Sequence, residues 1–253
     1  MNISTYGCDK RLKFCRDYLL RSGFRFGGDI MLLPVPSINA EGYVRGTDVG
    51  LDDIFNGIRP GDAIVGYGLL REARAMAAEH GALIVDTSRD ETFLSDNAAL
   101  TSDGTLGRIL TEHNRSLCDL NIGIIGYGRI GQRLLNSLLF FGADVTVFTS
   151  REASRLELGM LSVHAVNTAE LNSEQGLCNL ASLNILINTA PAPIITADMS
   201  ESLSKTRIIE LASGENIPPD IPYERFASVP AIMYPASAGY AMGRAVIRML
   251  EHC

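Results

Sequence analysis

Six residues, Gly126-Tyr127-Gly128-Arg129-Ile130-Gly131, constrain this chain more than any other feature. They directly follow the apolar run Ile122–Ile125 and open a stretch carrying Ile130, Leu134, Leu135 and Leu138 on one helical face. Between a strand and a helix, glycines at these places meet three steric demands. Gly126 permits the tight turn, Gly128 lets the backbone approach a pyrophosphate, and Gly131 lets the helix pack closely on the strand. The N–H groups and dipole at the helix start then favour a phosphate. The stretch reads as a dinucleotide-binding turn, with Gly126, Tyr127, Gly128, Arg129, Ile130 and Gly131 as cofactor-binding residues.

The end of the next strand bears on the choice of cofactor. NAD sites place an acidic residue there for the ribose 2′-hydroxyl. Here the strand Asp144–Phe148 ends in Thr149-Ser150-Arg151. Ser150 and Arg151 can bind a 2′-phosphate by charge-assisted hydrogen bonds, whereas a carboxylate would repel it. These three residues predict NADP rather than NAD; the plainer alternative is that Arg151 only begins a helix. Arg155, one turn on, either adds to a phosphate site or is solvated.

Around this unit, short apolar runs alternate with amphipathic ones. Ile30–Val35, Ala63–Val65 and Ala82–Asp86 read as strands, and Arg11–Arg21 and Arg71–His80 as helices. A connecting helix is predicted from Thr101, as its cap, to about Asn114. After the nucleotide turn come a helix Ile130–Phe141, a helix Glu152–Leu158, a strand Ser162–Ala165, a polar stretch, and strands Ile185–Asn188 and Arg207–Leu211. A Pro-rich loop leads to a last helix, Ala238–Glu251. Alternation of this kind implies an α/β chain of two Rossmann-like three-layer domains with parallel sheets and a cleft between them. The expected division is 1–115 plus 237–253 for an N-terminal flavodoxin- or Rossmann-like domain, and 116–236 for the nucleotide-binding domain.

Ligands of open parallel sheets bind beyond the carboxyl ends of the strands. Asn188, Thr189 and Pro191 after the fourth strand of the nucleotide unit, and Ala212 and Ser213 after the fifth, are therefore candidates for the nicotinamide end. In the first half, the corresponding loops and the start of the last helix offer Ser37, Asn39, Tyr67, Asn97, Thr101 and Ser237 as substrate-facing residues. Thr101 can act simply as a helix cap, and the helix start so capped is itself an anion site. The run of small residues from Ala236 to Gly243 allows close approach to a ligand or to another helix.

Composition excludes other classes. With 253 residues, 46% hydrophobic and 20% charged, the chain is neither disordered nor fibrous. A net charge of −7 argues against nucleic acid as the main ligand. Of 22 basic residues only Lys10, Lys13 and Lys205 are lysines. No apolar run reaches the roughly 20 residues of a membrane span, and no secretory signal is visible. The cysteines 8, 15, 118, 178 and 253 and the histidines 80, 113, 164 and 252 are scattered, so no metal is expected. Reduced thiols and a cytoplasmic location are the expectation.

The order of motifs resembles the dipicolinate synthase A-subunit family, itself related to the D-2-hydroxyacid dehydrogenase superfamily. The segments that carry the likeness are Leu32–Gly42, Asn97–Gly104, the glycine turn, Ile187–Pro191, Glu210–Ser213 and Pro235–Gly239. The resemblance implies NADP, a small cyclic dicarboxylate substrate and a flavoprotein-like second subunit. Before Ile30 there is room for one strand and one helix. The shortage of chain in the first half points to a site completed by a partner or a second copy, hence a homo-oligomer. The chain departs from the family at Gly214-Glu215-Asn216, where that family carries Pro and Gly. It also departs at Pro235–Gly239, where a basic residue is missing.

Hydride transfer coupled to aromatisation of a dihydropyridine needs orientation more than a strong base. That suits loops rich in Ser, Asn, Thr and Tyr, and no residue is assigned as general acid or base. A D-2-hydroxyacid dehydrogenase would need a His and an Arg clamp. No histidine lies between His164 and His252, and Ala212-Ser213-Gly214 lacks the Arg. The remaining alternative is an NADP-binding subunit or sensor without turnover of its own.

Overall fold

The computed structural model describes residues 1–69 and 71–251; His252 and Cys253 lie outside the described residues. The first half runs β1 (Ile3–Thr5), α1 (Lys10–Arg21), β2 (Ile30–Leu32), α2 (Leu51–Phe55), β3 (Ala63–Gly66), α3 (Arg71–Glu79), β4 (Leu83–Asp86) and the long α4 (Glu91–Glu112). Then follow β5 (Asn121–Ile125), α5 (Arg129–Phe140), β6 (Asp144–Phe148), α6 (Glu152–Met160), β7 (His164–Val166), α7 (Glu174–Ala181), β8 (Ile185–Asn188), β9 (Arg207–Glu210) and β10 (Glu224–Arg225). Two helices close the chain, α8 (Val229–Met233) and α9 (Pro235–Glu251). Two compact units result, Met1–Leu100 with the return from Pro230, and Thr101–Val229. These limits at 100 and 229 compare with the expected divides after residues 115 and 236; Leu106, Ile109 and Val229 pack into the second unit's core.

The first unit holds a four-stranded sheet in the order β1-β2-β3-β4, every pair parallel. Its inner strands β2 and β3 are apolar and buried on both faces, as a sheet covered on both sides requires, while the edge strand β1 is largely exposed. Ile30, Leu32, Ala63 and Val65 face one cluster with Leu12, Leu19 and Met242. Met31, Leu33 and Ile64 face another with Ile54, Phe55 and Ala77. The small residues of α9 approach a helix, not a ligand. A Cβ on Gly239 would lie 2.5 Å from the Arg11 carbonyl oxygen, and one on Gly243 would lie 2.6 Å from the Tyr18 ring. Tyr240 packs edge-on to Phe14 at 6.0 Å. Burial of Cys15 in this core pushes its thiol up, away from reactivity.

The second unit holds a six-stranded parallel sheet in the order β10-β9-β8-β5-β6-β7. This is the Rossmann order, with its reversal between β5 and β8. Ile122, Ile124, Val145 and Val147 face one cluster, and Ile125, Phe148 and Leu186 face the other.

Several local expectations are corrected. The long helix starts at Glu91 and not at Thr101, because Asp90 caps it: Asp90 Oδ1 accepts from Phe93 N at 2.6 Å. Thr101 is buried in mid-helix, where its carbonyl accepts from the Thr105 hydroxyl at 2.8 Å, so no helix start exists there. The strand expected from Ser162 begins at His164, since Ser162 has φ 57° and turns the chain out of α6. The polar stretch contains α7, capped by Ser173, whose hydroxyl oxygen accepts from Gly176 N at 3.1 Å.

Candidate nucleotide-binding site

The glycine turn crosses from β5 to α5 as the spacing predicts. Gly126 sits at φ 94°, and a Cβ there would lie 2.7 Å from Thr189 Oγ1. On Gly131 a Cβ would lie 2.2 Å from the Gly126 carbonyl oxygen, so only glycine allows this approach of helix and strand. A Cβ on Gly128 would meet nothing within 4 Å. Its open side is the space a pyrophosphate needs, and no side chain caps α5 in its place. The residues therefore fit a nucleotide diphosphate.

A cavity of about 240 Å³ opens over this turn. Its wall comprises Gly126, Tyr127 and Gly128, then Phe148, Thr149, Ser150 and Arg151 at the end of β6, then Thr168, and finally Thr189, Ala190, Pro191 and Ile194 after β8. It thus lies where the strand order reverses, at the carboxyl ends of β5 and β8. Sequence reasoning misses Phe148, Thr168, Ala190 and Ile194. Ala190 and Ile194 follow from the loop that holds Thr189 and Pro191. Thr168 lies beyond β7, where no motif marks it.

The expected cofactor residues divide into those that line the cavity and those that shape it. Tyr127 is buried, and its hydroxyl donates to Glu157 Oε1 at 3.3 Å. Burial, then the Glu157 carboxylate, push this phenol up, so it stays protonated at neutral pH. Thr149 is buried, Ser150 and Arg151 are exposed, and Arg151 is the N-cap residue that precedes α6. Arg155 is not simply solvated: it lies across the turn and donates to the Thr149 carbonyl at 3.0 Å. Arg129, Ile130, Gly131, Asn188, Ala212 and Ser213 are not in the cavity wall. Gly131 acts through packing.

Asn188 acts from beneath the loop. It is 1% exposed, and its amide is committed on both sides. Nδ2 donates to Glu210 Oε2 at 2.8 Å, and Oδ1 accepts from Ala190 N at 3.1 Å. Glu210 is fully buried at the end of β9, with its other oxygen accepting from Ala212 N at 2.8 Å. Burial raises its carboxyl above the ordinary range, opposed by the hydrogen bonds from Asn188, Ala212 and Asn216 and by the Arg225 charge. Thr189 ties the same loop to the glycine turn, its hydroxyl donating to the Ile125 carbonyl at 2.9 Å.

This chain is similar to the A subunit of dipicolinate synthase. The curated protein of that name from Bacillus subtilis (strain 168) is 22% identical over 217 residues, covering 83% of this chain and 71% of that protein. The crystal structure of the Bacillus subtilis A chain matches with a TM-score of 0.80 at 19% identity, over 100% of this chain and 96% of that one. Its counterpart from Bacillus halodurans gives 0.79 at 17% identity, over 98% and 97%. The apo D-lactate dehydrogenase of Escherichia coli gives 0.58 at 13%, over 100% and 96%. No protein-family model matches the chain. The likeness to dipicolinate synthase is one of fold, an α/β architecture of two Rossmann-like domains shared with the D-lactate dehydrogenase.

In the first unit, the substrate candidates are mostly occupied by the fold itself. Ser37 is fully buried; its hydroxyl donates to the Pro34 carbonyl at 2.8 Å and accepts from Tyr67 N at 2.7 Å. Asn39 Oδ1 accepts from Tyr43 N at 2.8 Å in a local turn. Tyr67 is half-buried, with its ring 6.3 Å from that of Phe93. Asn97 lies within α4, and Ser237 is exposed in the first turn of α9. Ser37 and Tyr67 are brought together. Thr101 belongs to the second unit, one turn along α4 from Asn97.

Proposed function

We propose that this protein is an NADP-dependent oxidoreductase of the dipicolinate synthase A type, moving a hydride between nicotinamide and a small cyclic dicarboxylate such as dihydrodipicolinate. One observation carries the cofactor choice. The cavity over the glycine turn is closed at the end of β6 by Thr149, Ser150 and Arg151, and among its described lining residues there is no carboxylate. Gly126 and Gly128 would admit the pyrophosphate, Ser150 and Arg151 would hold the 2′-phosphate, and Thr189, Ala190 and Pro191 would border the nicotinamide end. The bound nucleotide supplies hydride acceptance or donation. The chain's own contribution is orientation and exclusion of water, which suits a reaction driven by aromatisation.

Arg151→Ala tests this in fluorescence titrations. NADPH affinity should fall about tenfold or more, the worth of a charge-assisted hydrogen bond, while NADH changes less than about twofold. Equal losses would move the phosphate site elsewhere. Turnover is tested on dihydrodipicolinate with NADP, with and without a flavoprotein-like second subunit. Tight NADPH binding without reaction in either assay would leave a nucleotide-binding subunit or sensor. Association with such a partner, or into a homo-oligomer, belongs to the same proposal. Its support is the exposed apolar set at the ends of α5 and α6, where Phe140 is 86% and Met160 82% exposed. Light scattering measures it.

A further inference from the structure

We propose that Glu210 is a positioning residue for the nicotinamide-end loop, acting through Asn188 on the peptide of Ala190. The inference rests on the nucleotide reading of the cavity, because Ala190 is part of its wall and Glu210 is not.

A fully buried carboxylate is costly, and nothing about packing at the end of β9 asks for one. What distinguishes it from an amide is that both oxygens only accept. Three donors meet them, Ala212 N and Asn188 Nδ2, each at 2.8 Å, and the Asn216 side chain. An asparagine side chain can turn end for end at little cost, so by itself Asn188 would not fix its neighbours. The carboxylate removes that freedom. With Nδ2 held by Glu210, Oδ1 must face Ala190 N, which donates to it at 3.1 Å. Nδ2 also lies 3.3 Å from the Ala190 carbonyl oxygen. The polarity of one buried group thus sets the direction of the Ala190 peptide through a single intervening amide, and the same group anchors the loop after β9 at Ala212. Gly126, whose added Cβ would lie 3.3 Å from Ala190 N, abuts this peptide from the other side.

Glu210→Gln keeps the shape and breaks the pattern. Whichever way the two amides turn, one donor faces another: at Ala212 N, between the two side chains, or at Ala190 N. Adding Asn188→Asp restores donor to acceptor at both joints, since the introduced carboxylate accepts from the introduced amide and from Ala190 N. The remaining cost is the Ala190 carbonyl, which then faces an acceptor.

Amide hydrogen exchange and nucleotide titration on the full chain decide the matter. In E210Q, exchange at Ala190 should accelerate about tenfold, and NADPH affinity should fall about tenfold, as expected for one unsatisfied buried donor. The Gly126 amide, bonded to the Phe148 carbonyl at 2.9 Å, is the control and should hold its rate. In E210Q/N188D both quantities should return to within about threefold of wild type, a recovery that general loosening would not give. Unchanged exchange at Ala190 overturns the relay. Faster exchange with unchanged affinity overturns its role in positioning. Should E210Q not fold, Asn188→Ala, which removes the relay without changing charge, carries the same two expectations. A wild-type chain that binds neither NADPH nor NADH would refute the nucleotide reading, and the exchange comparison would still decide whether the clamp exists.

Discussion

The two sheets use the same materials and end differently. Both are parallel with an apolar cluster on each face, yet one runs β1-β2-β3-β4 without a break while the other reverses between β5 and β8. In the sequential sheet each loop lies beside the next and bonds to it. Ser37 holds Tyr67, Asp86 accepts from Gly68 N at 2.9 Å, and the Thr87 hydroxyl donates to the Gly66 carbonyl at 2.9 Å. The end of that sheet is laced shut by its own polar side chains. At the reversal, the chain leaves β5 and β8 in opposite directions, so the turns part and the cavity opens between them. Polar residues at strand ends tie loop to loop in one sheet and line an open cavity in the other. Strand order decides which.

The comparison can be broken at its strongest point first. Gly131→Val drives a side chain into the Gly126 carbonyl. It should cost the second unit more than about 3 kcal/mol, or prevent folding, in urea denaturation. Gly128→Val, three residues away, points into open space. It should melt like wild type and lose NADPH and NADH binding by more than about a hundredfold, roughly 2.7 kcal/mol. Retained binding would mean that the opening over the turn is not the site.

Ser37→Ala probes the sequential sheet. The loss of both bonds at a buried hydroxyl should cost about 1–3 kcal/mol of stability and leave NADPH affinity unchanged. A variant with full stability and altered turnover would instead make that sheet end a substrate site. The smallest effect is one of pH. Burial raises the Glu210 carboxyl above its ordinary 4.5, so the folded state holds that proton more tightly than the unfolded chain does. The favourable contribution is complete below pH 4.5 and is lost as pH rises through the raised value. Wild type should therefore lose ground to E210Q in urea midpoints as pH rises from 4.5 through the raised value. Asn188, Asn216, Ala212 N and Arg225 all act against the shift and keep it modest.

The nucleotide half is legible because its signals are local. Glycine spacing and a flanking strand lie within about one βαβ unit, and the strand–turn–helix that they form follows from sterics alone. Ser37 reads as substrate-facing in the sequence because its partner, Tyr67 N, is 30 positions away. Thr101 looks like a helix start because it precedes an apolar run, while Asp90, the actual cap, stands before a mixed stretch whose Phe93 faces the first unit's core. Glu210 and Asn188 can be placed at strand ends from their neighbours alone. That they bond to each other follows only from the pairing of β8 with β9, which aligns Asn188 with Glu210.

The return of the chain at Pro230 has a consequence for synthesis. The first unit's core needs Ala241, Met242, Ala245 and Val246 from α9, so that unit stays unfinished until the last helix leaves the ribosome. The nucleotide unit is complete at Val229, before that helix is made. The domain begun second is the one finished first. A released chain truncated shortly after Val229 should already carry its dinucleotide turn, while the strands translated earliest still lack the helix that covers them.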